Sequence, residues 1–64
     1  MERLFTRVSY VQFRQFLETI DVGRVRNKGY ETTIYDLEGD VQATVYAASI
    51  DKKGKVYPAE YYAR

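Results

Sequence analysis

"VQATVYAASIDKKGKVYPAEYYAR", residues 41–64, is the stretch whose reading decides the fold. Within it, "DKKG" at 51–54 has the composition of a type I turn followed by a glycine in the left-handed region. If Asp51 pairs with Lys55, the two-residue period of a strand fixes every later pairing. Ala47 then faces Ala59, Val45 faces Tyr61, and Ala43 faces Ala63. That face is apolar and mostly small. The alternate residues go to the other side. There Tyr46 faces Glu60, Thr44 faces Tyr62, and Gln42 faces Arg64. A hairpin with an alanine-floored face and a tyrosine- and arginine-bearing face follows.

The apolar face needs a cover, and "SYVQFRQFLETIDVG" at 9–23 supplies one. Ser9 with Gln12 three residues on forms a capping box, and Val8 before the cap is placed to staple onto Phe13. Tyr10, Phe13, Phe16, Leu17 and Ile20 recur at helical spacing and fill an arc of roughly 120°. The pattern predicts a helix at about 10–21, with Gly23 as its C-terminal stop. Phe13 and Phe16 are expected against the alanines.

Around this pair the rest is arranged. "ERLFTRV" at 2–8 reads as a short strand, with Leu4, Thr6 and Val8 on one face and Arg3, Phe5 and Arg7 on the other. "YETTIYDL" at 30–37 reads as a further strand, and either Ile34 or Tyr35 faces the helix according to the length of the "EGD" connection. "GRVRNKG" at 23–29 reads as a basic loop between two glycines. Pro58 has no backbone donor, which argues that the C-terminal strand is an edge. The expected fold is α+β: one domain over 1–64, β-α-β-β-β, an antiparallel meander with one amphipathic helix on one face.

Composition limits the chemistry. With no cysteine and no histidine, neither a disulfide nor a His/Cys zinc site can form. A domain of this size buries only about 60% of its unfolded surface, so oligomerisation is the remaining staple. No apolar run approaches the ~20 residues of a membrane span, and "MERLFTRV" does not resemble a signal peptide. The expected setting is cytoplasmic. Residues 1–29 carry six basic and three acidic groups, and residues 30–64 four and six. This modest asymmetry is neither that of a polycation nor that of an acidic mimic of DNA.

Catalysis has little to draw on. Ser9 is explained as a cap. Asp36, Glu38 and Asp40 in "DLEGD" read as a solvated turn, and a calcium loop from Asp36 would need a glutamate where Ala47 stands. No metal or cofactor is expected. The reading is of a non-enzymatic protein that binds another protein, as an inhibitor or accessory regulator, through Tyr46, Glu60, Tyr62 and Arg64 with Gln42 and Thr44. A homodimer through the same patch is expected in isolation, and the small size would fit a phage protein. The alternative is a nucleic-acid-binding module using that face with Arg24, Arg26 and Lys28, whose charges suit phosphate contacts.

Overall fold

The computed structural model describes residues 5–64. Arg3 and Leu4, assigned above to the first strand, lie outside the described residues. The helix forms where its capping box demands. Ser9 Oγ accepts from Gln12 N at 3.1 Å and Gln12 Oε1 accepts from Ser9 N at 3.0 Å, opening α1 at Tyr10–Leu17. α1 is shorter than its apolar pattern. Glu18 is the C-cap, and the Thr19 hydroxyl donates back to Phe16 O at 2.7 Å. A side chain that bonds the backbone in this way competes with continuation of the helix. Ile20 still packs on the core from the turn beyond.

Among the described residues seven strands accompany the helix: β1 (Thr6–Val8), β2 (Val22–Lys28), β3 (Glu31–Asp36), β4 (Val41–Tyr46), β5 (Ser49–Ile50), β6 (Val56–Tyr57) and β7 (Glu60–Ala63). Five form an antiparallel sheet in the order β1-β7-β4-β3-β2, and β5 with β6 forms a separate ribbon. This is the α+β architecture, with one helix on one face.

The "DKKG" register holds. Ala43 pairs with Ala63, Thr44 with Tyr62, Val45 with Tyr61 and Tyr46 with Glu60. Beyond a gap the same register continues as Ser49 with Tyr57 and Ile50 with Val56. The expected Ala47–Ala59 pair falls in that gap. There Pro58 offers no donor, while Ala47 N continues the β3–β4 pairing by donating to Tyr30 O at 2.8 Å.

Three features differ from the sequence reading. Gly23 to Lys28 are not a loop but part of β2, a full edge strand turned back on β3 by Gly29 and Tyr30. Gly29 has φ 62° and Tyr30 has a negative φ, the glycine-first pattern of a two-residue type II′ hairpin. Gly23 is therefore not a helix stop. It sits at a bulge in β2, where a Cβ would stand 2.4 Å from the backbone oxygen of Asp36. The C-terminal strand is not an edge either: β7 lies between β1 and β4, and the edges are β1 and β2.

The core lies between α1 and the centre of the sheet. Among the described residues the buried ones are Phe13, Ile34, Ala43 and Ala63. Ile34, rather than Tyr35, faces the helix. Ala43 and Ala63 oppose each other in the middle strands, which leaves room for Phe13 to descend. Val8, Phe16, Leu17, Ile20, Val45 and Tyr61 pack around this centre, half-buried. The ring of Tyr61 is held between Tyr10 and Phe13, at 5.4 and 5.2 Å between centroids. Tyr57, which strand alternation from Ala59 and Tyr61 would bring to the core floor, is instead exposed on the ribbon.

Phe13→Ala is expected to cost ~3–5 kcal/mol, the usual loss for a fully buried aromatic. Phe16→Ala, only half-buried, is expected to cost less; urea titrations of the two variants rank them. Gly23→Ala is expected to destabilise by more than the Ala-for-Gly gain in chain entropy, because the added methyl must displace the Asp36 backbone. Its melting temperature against wild type checks this.

Candidate binding face

Strand alternation and the observed registers together assign each side chain to a face. On the helix side one row runs Val25, Ile34, Ala43, Ala63, Thr6 across all five strands. The row beside it on the opposite side runs Arg26, Thr33, Thr44, Tyr62, Arg7. Four interstrand spacings separate its ends, about 19 Å. Its centre is hydroxyl-lined, and an arginine stands at each edge. Next to it runs Lys28, Glu31, Tyr46, Glu60. Arg24 pairs with Tyr35 on the far flank. α1 packs on the other side of the sheet, so no helix of the described residues covers this side.

Tyr46 and Tyr62 meet edge to face, 5.8 Å between centroids at 83°. Tyr30, in the turn after β2, extends the group, 6.2 Å from Tyr46. Phe5, Thr44, Tyr46 and Tyr62 line a shallow hollow. A second hollow is shared by Tyr30, Tyr46, Tyr57, Pro58 and Glu60 and joins the ribbon to the sheet. The Tyr62 hydroxyl donates to Glu60 Oε1 at 2.6 Å. That bond holds the Tyr62 hydroxyl above its ordinary pKa, with desolvation adding to it and nearby Arg7 opposing it. Tyr62 and Glu60 thus form one preset polar unit in the aromatic patch.

Of the residues marked from sequence, Tyr46, Thr44, Tyr62 and Glu60 are brought together. Arg64 follows at the next alternate position, exposed, its backbone N donating to Gln42 O at 3.1 Å. Gln42 is not among them. A bulge opposite Ile34 and Tyr35 breaks the alternation there. The Gln42 amide donates to Asp36 Oδ2 at 2.7 Å and lines a hollow with Ile20, Asp21 and Leu37. Arg24, Arg26 and Lys28, read as a loop apart from the tyrosines, share their face because β2 alternates. Sequence reasoning missed Arg7, Tyr30, Thr33 and Tyr35. The signal for the β2–β3 residues was "KGYE", a glycine-first two-residue hairpin between segments of period two.

The acidic cluster is accounted for by the turn it builds. Asp36 Oδ1 accepts from Glu38 N and Asp40 N, both at 2.9 Å, while Gly39 takes φ 90°. Asp51 does the same in the next hairpin, accepting from Lys53 N at 2.8 Å and Lys55 N at 2.9 Å with Gly54 at φ 86°. The carboxylates of Asp36, Glu38 and Asp40 lie within 4.8 Å of one another. Both oxygens of Asp36 are already engaged. Compared with protein-family models, curated proteins and solved structures, the chain matches none.

Backbone donors hold both aspartates below the ordinary value of 3.8, the bond with Asp40 leading for Asp36 and that with Lys55 for Asp51. A carboxylate depressed in the folded state stabilises fully above its unfolded pKa, and that stability is lost as pH falls through the folded one. The melting temperature is therefore expected to fall as pH drops below about 4. Asp36→Asn with Asp51→Asn should flatten that fall, as thermal melts across an acid series would register.

Proposed function

We propose that the protein is a non-enzymatic binding protein, an inhibitor or accessory regulator, whose partner is another protein held on the open face. The observation that carries this is one side of a five-stranded sheet over which no helix or strand of the described residues lies, and on which tyrosine and arginine concentrate. These residue types dominate interface hot spots. Tyr46 and Tyr62 are the anchors, Glu60 fixes the Tyr62 hydroxyl, and Thr44, Arg64 and Arg7 surround them. The absence of histidine and cysteine accords with binding rather than turnover.

A second reading has its own support. Arg24, Arg26 and Lys28 share the face with Tyr35, Tyr46 and Tyr62, and aromatic platforms edged by basic groups hold single-stranded nucleic acid.

The test is affinity capture from native cells by wild type and by Tyr46→Ala/Tyr62→Ala. A partner held by wild type and lost from the variant, at unchanged melting temperature, is the expected result. Tyr61→Ala should instead lower the melting temperature, because its ring lies in the core. A dimer that sediments apart in Tyr62→Ala would make the partner a second copy. Capture that survives the double variant overturns the reading. Tight oligonucleotide binding that falls steeply with salt selects the second one.

A further inference from the structure

Among the described residues, strand β2 has a neighbour on one side only. Its two-residue loop makes Lys28 and Glu31 a hydrogen-bonded pair, so alternation turns the backbone groups of Arg26 and Arg24 inward to β3. Those of Asn27 and Val25 then point outward. The free edge is thus a row of donors and acceptors at the spacing of another strand. Its side chains are sorted by face. Arg24, Arg26 and Lys28 stand on the open side. Val22 and Val25 stand on the helix side, where α1 does not reach them, and Val25 is 57% exposed.

This edge discriminates between occupants. A second copy added antiparallel would set Arg24 against Arg26, or Arg26 against itself, and like charges directly opposite are destabilising. Basic side chains of this kind keep an edge strand from pairing with its own kind. The same charges favour a strand with carboxylates on the open side and apolar residues on the other.

We infer that the outer edge of β2 binds an extended segment of another protein, alternately acidic and apolar, as a sixth strand of the sheet. This rests on the protein-binding reading above and names the chemistry of the partner segment. Main-chain bonds to Val25 and Asn27 supply register-specific affinity, and Arg24, Arg26 and Lys28 supply selection, the division of labour seen whenever a peptide extends a sheet.

The probe is a capped hexapeptide of alternating glutamate and valine, titrated into the full chain with amide exchange followed by NMR. Controls are a block-ordered peptide of the same composition and one N-methylated at alternate residues. The expected result is slowed exchange at Val25 and Asn27, with each control binding about tenfold more weakly or worse. Val25→Pro removes an outward donor that the fold does not use, and it should weaken the peptide similarly while preserving the melt. Arg24→Glu/Arg26→Glu should invert the preference toward a lysine–valine peptide. Equal binding of the N-methylated peptide overturns the inference, as does an unchanged preference in the charge-reversed protein. Peptide shifts confined to Tyr46 and Tyr62, with Val25 and Asn27 unprotected, overturn the edge while leaving the open-face reading standing. Oligothymidylate that protects Val25 and Asn27 in place of the peptide overturns both.

Discussion

Everything in this fold hangs on the missing volume at the Ala43–Ala63 pair. A single two-turn helix must cover a five-stranded sheet, so it has to sit close and spend its largest apolar ring at the centre. Two methyl groups facing each other in the middle strands give Phe13 that depth. Larger side chains there would lift the helix and part it from Ile34 and Tyr61. The close seat has a further effect. A short helix that lies low covers the sheet's centre and leaves its β2 margin bare on the helix side, while no helix of the described residues lies on the far side.

The hairpins that bring the strands into register share one construction. "DLEGD" and "DKKGK" each place an aspartate whose carboxylate gathers two backbone donors and a glycine that takes the left-handed turn. Repetition of one turn at both ends of β4 and its ribbon makes the pairing of β3, β4 and β7 a matter of local chemistry rather than of core packing alone. The Asp36 carboxylate of "DLEGD" is thereby occupied in structure, and the tyrosine face is where side chains stand without a turn to build.

How much of this could be read from the residues depends on whether the signal was local. The register of β4 with β7 was legible because "DKKG" states its own turn type and the period of two does the rest. The helix start was legible because Ser9 and Gln12 cap each other. β2 was not, for a definite reason: the bulge at Gly23 puts Val22 and Val25 three residues apart, so the alternation that marks a strand is out of phase where it would first be seen. Gln42 was misplaced by the same kind of event, an extra residue opposite Ile34 and Tyr35. Pro58 carried a correct local message, that the ladder must stop, but the chain obeys it by splitting ribbon from sheet. The place of β7 between β1 and β4 has no local signature, since it depends on β1 finding a strand from the opposite end of the sequence. The candidate face was legible to the same extent. Tyr46, Thr44, Tyr62 and Glu60 follow from the turn, while the basic flank required the strand the bulge concealed.

The insertion of β7 has a consequence for how the chain reaches this structure. Thr6 pairs with Ala63 and Val8 with Tyr61, so the contact that attaches β1 closes a loop of nearly the whole described chain. The β2–β3–β4 meander can assemble early from short-range hairpins, yet β1 has nothing to bond to until β7 has docked beside β4. Such high-separation contacts carry the largest closure entropy and form late in topologies of this kind. A nascent chain would therefore hold α1 and β1 without their proper floor until the last strand had left the ribosome. For that interval Val8 would have no strand to pair with and Phe13 would lack its Tyr61 contact, leaving both more open to the solvent, and to chaperones.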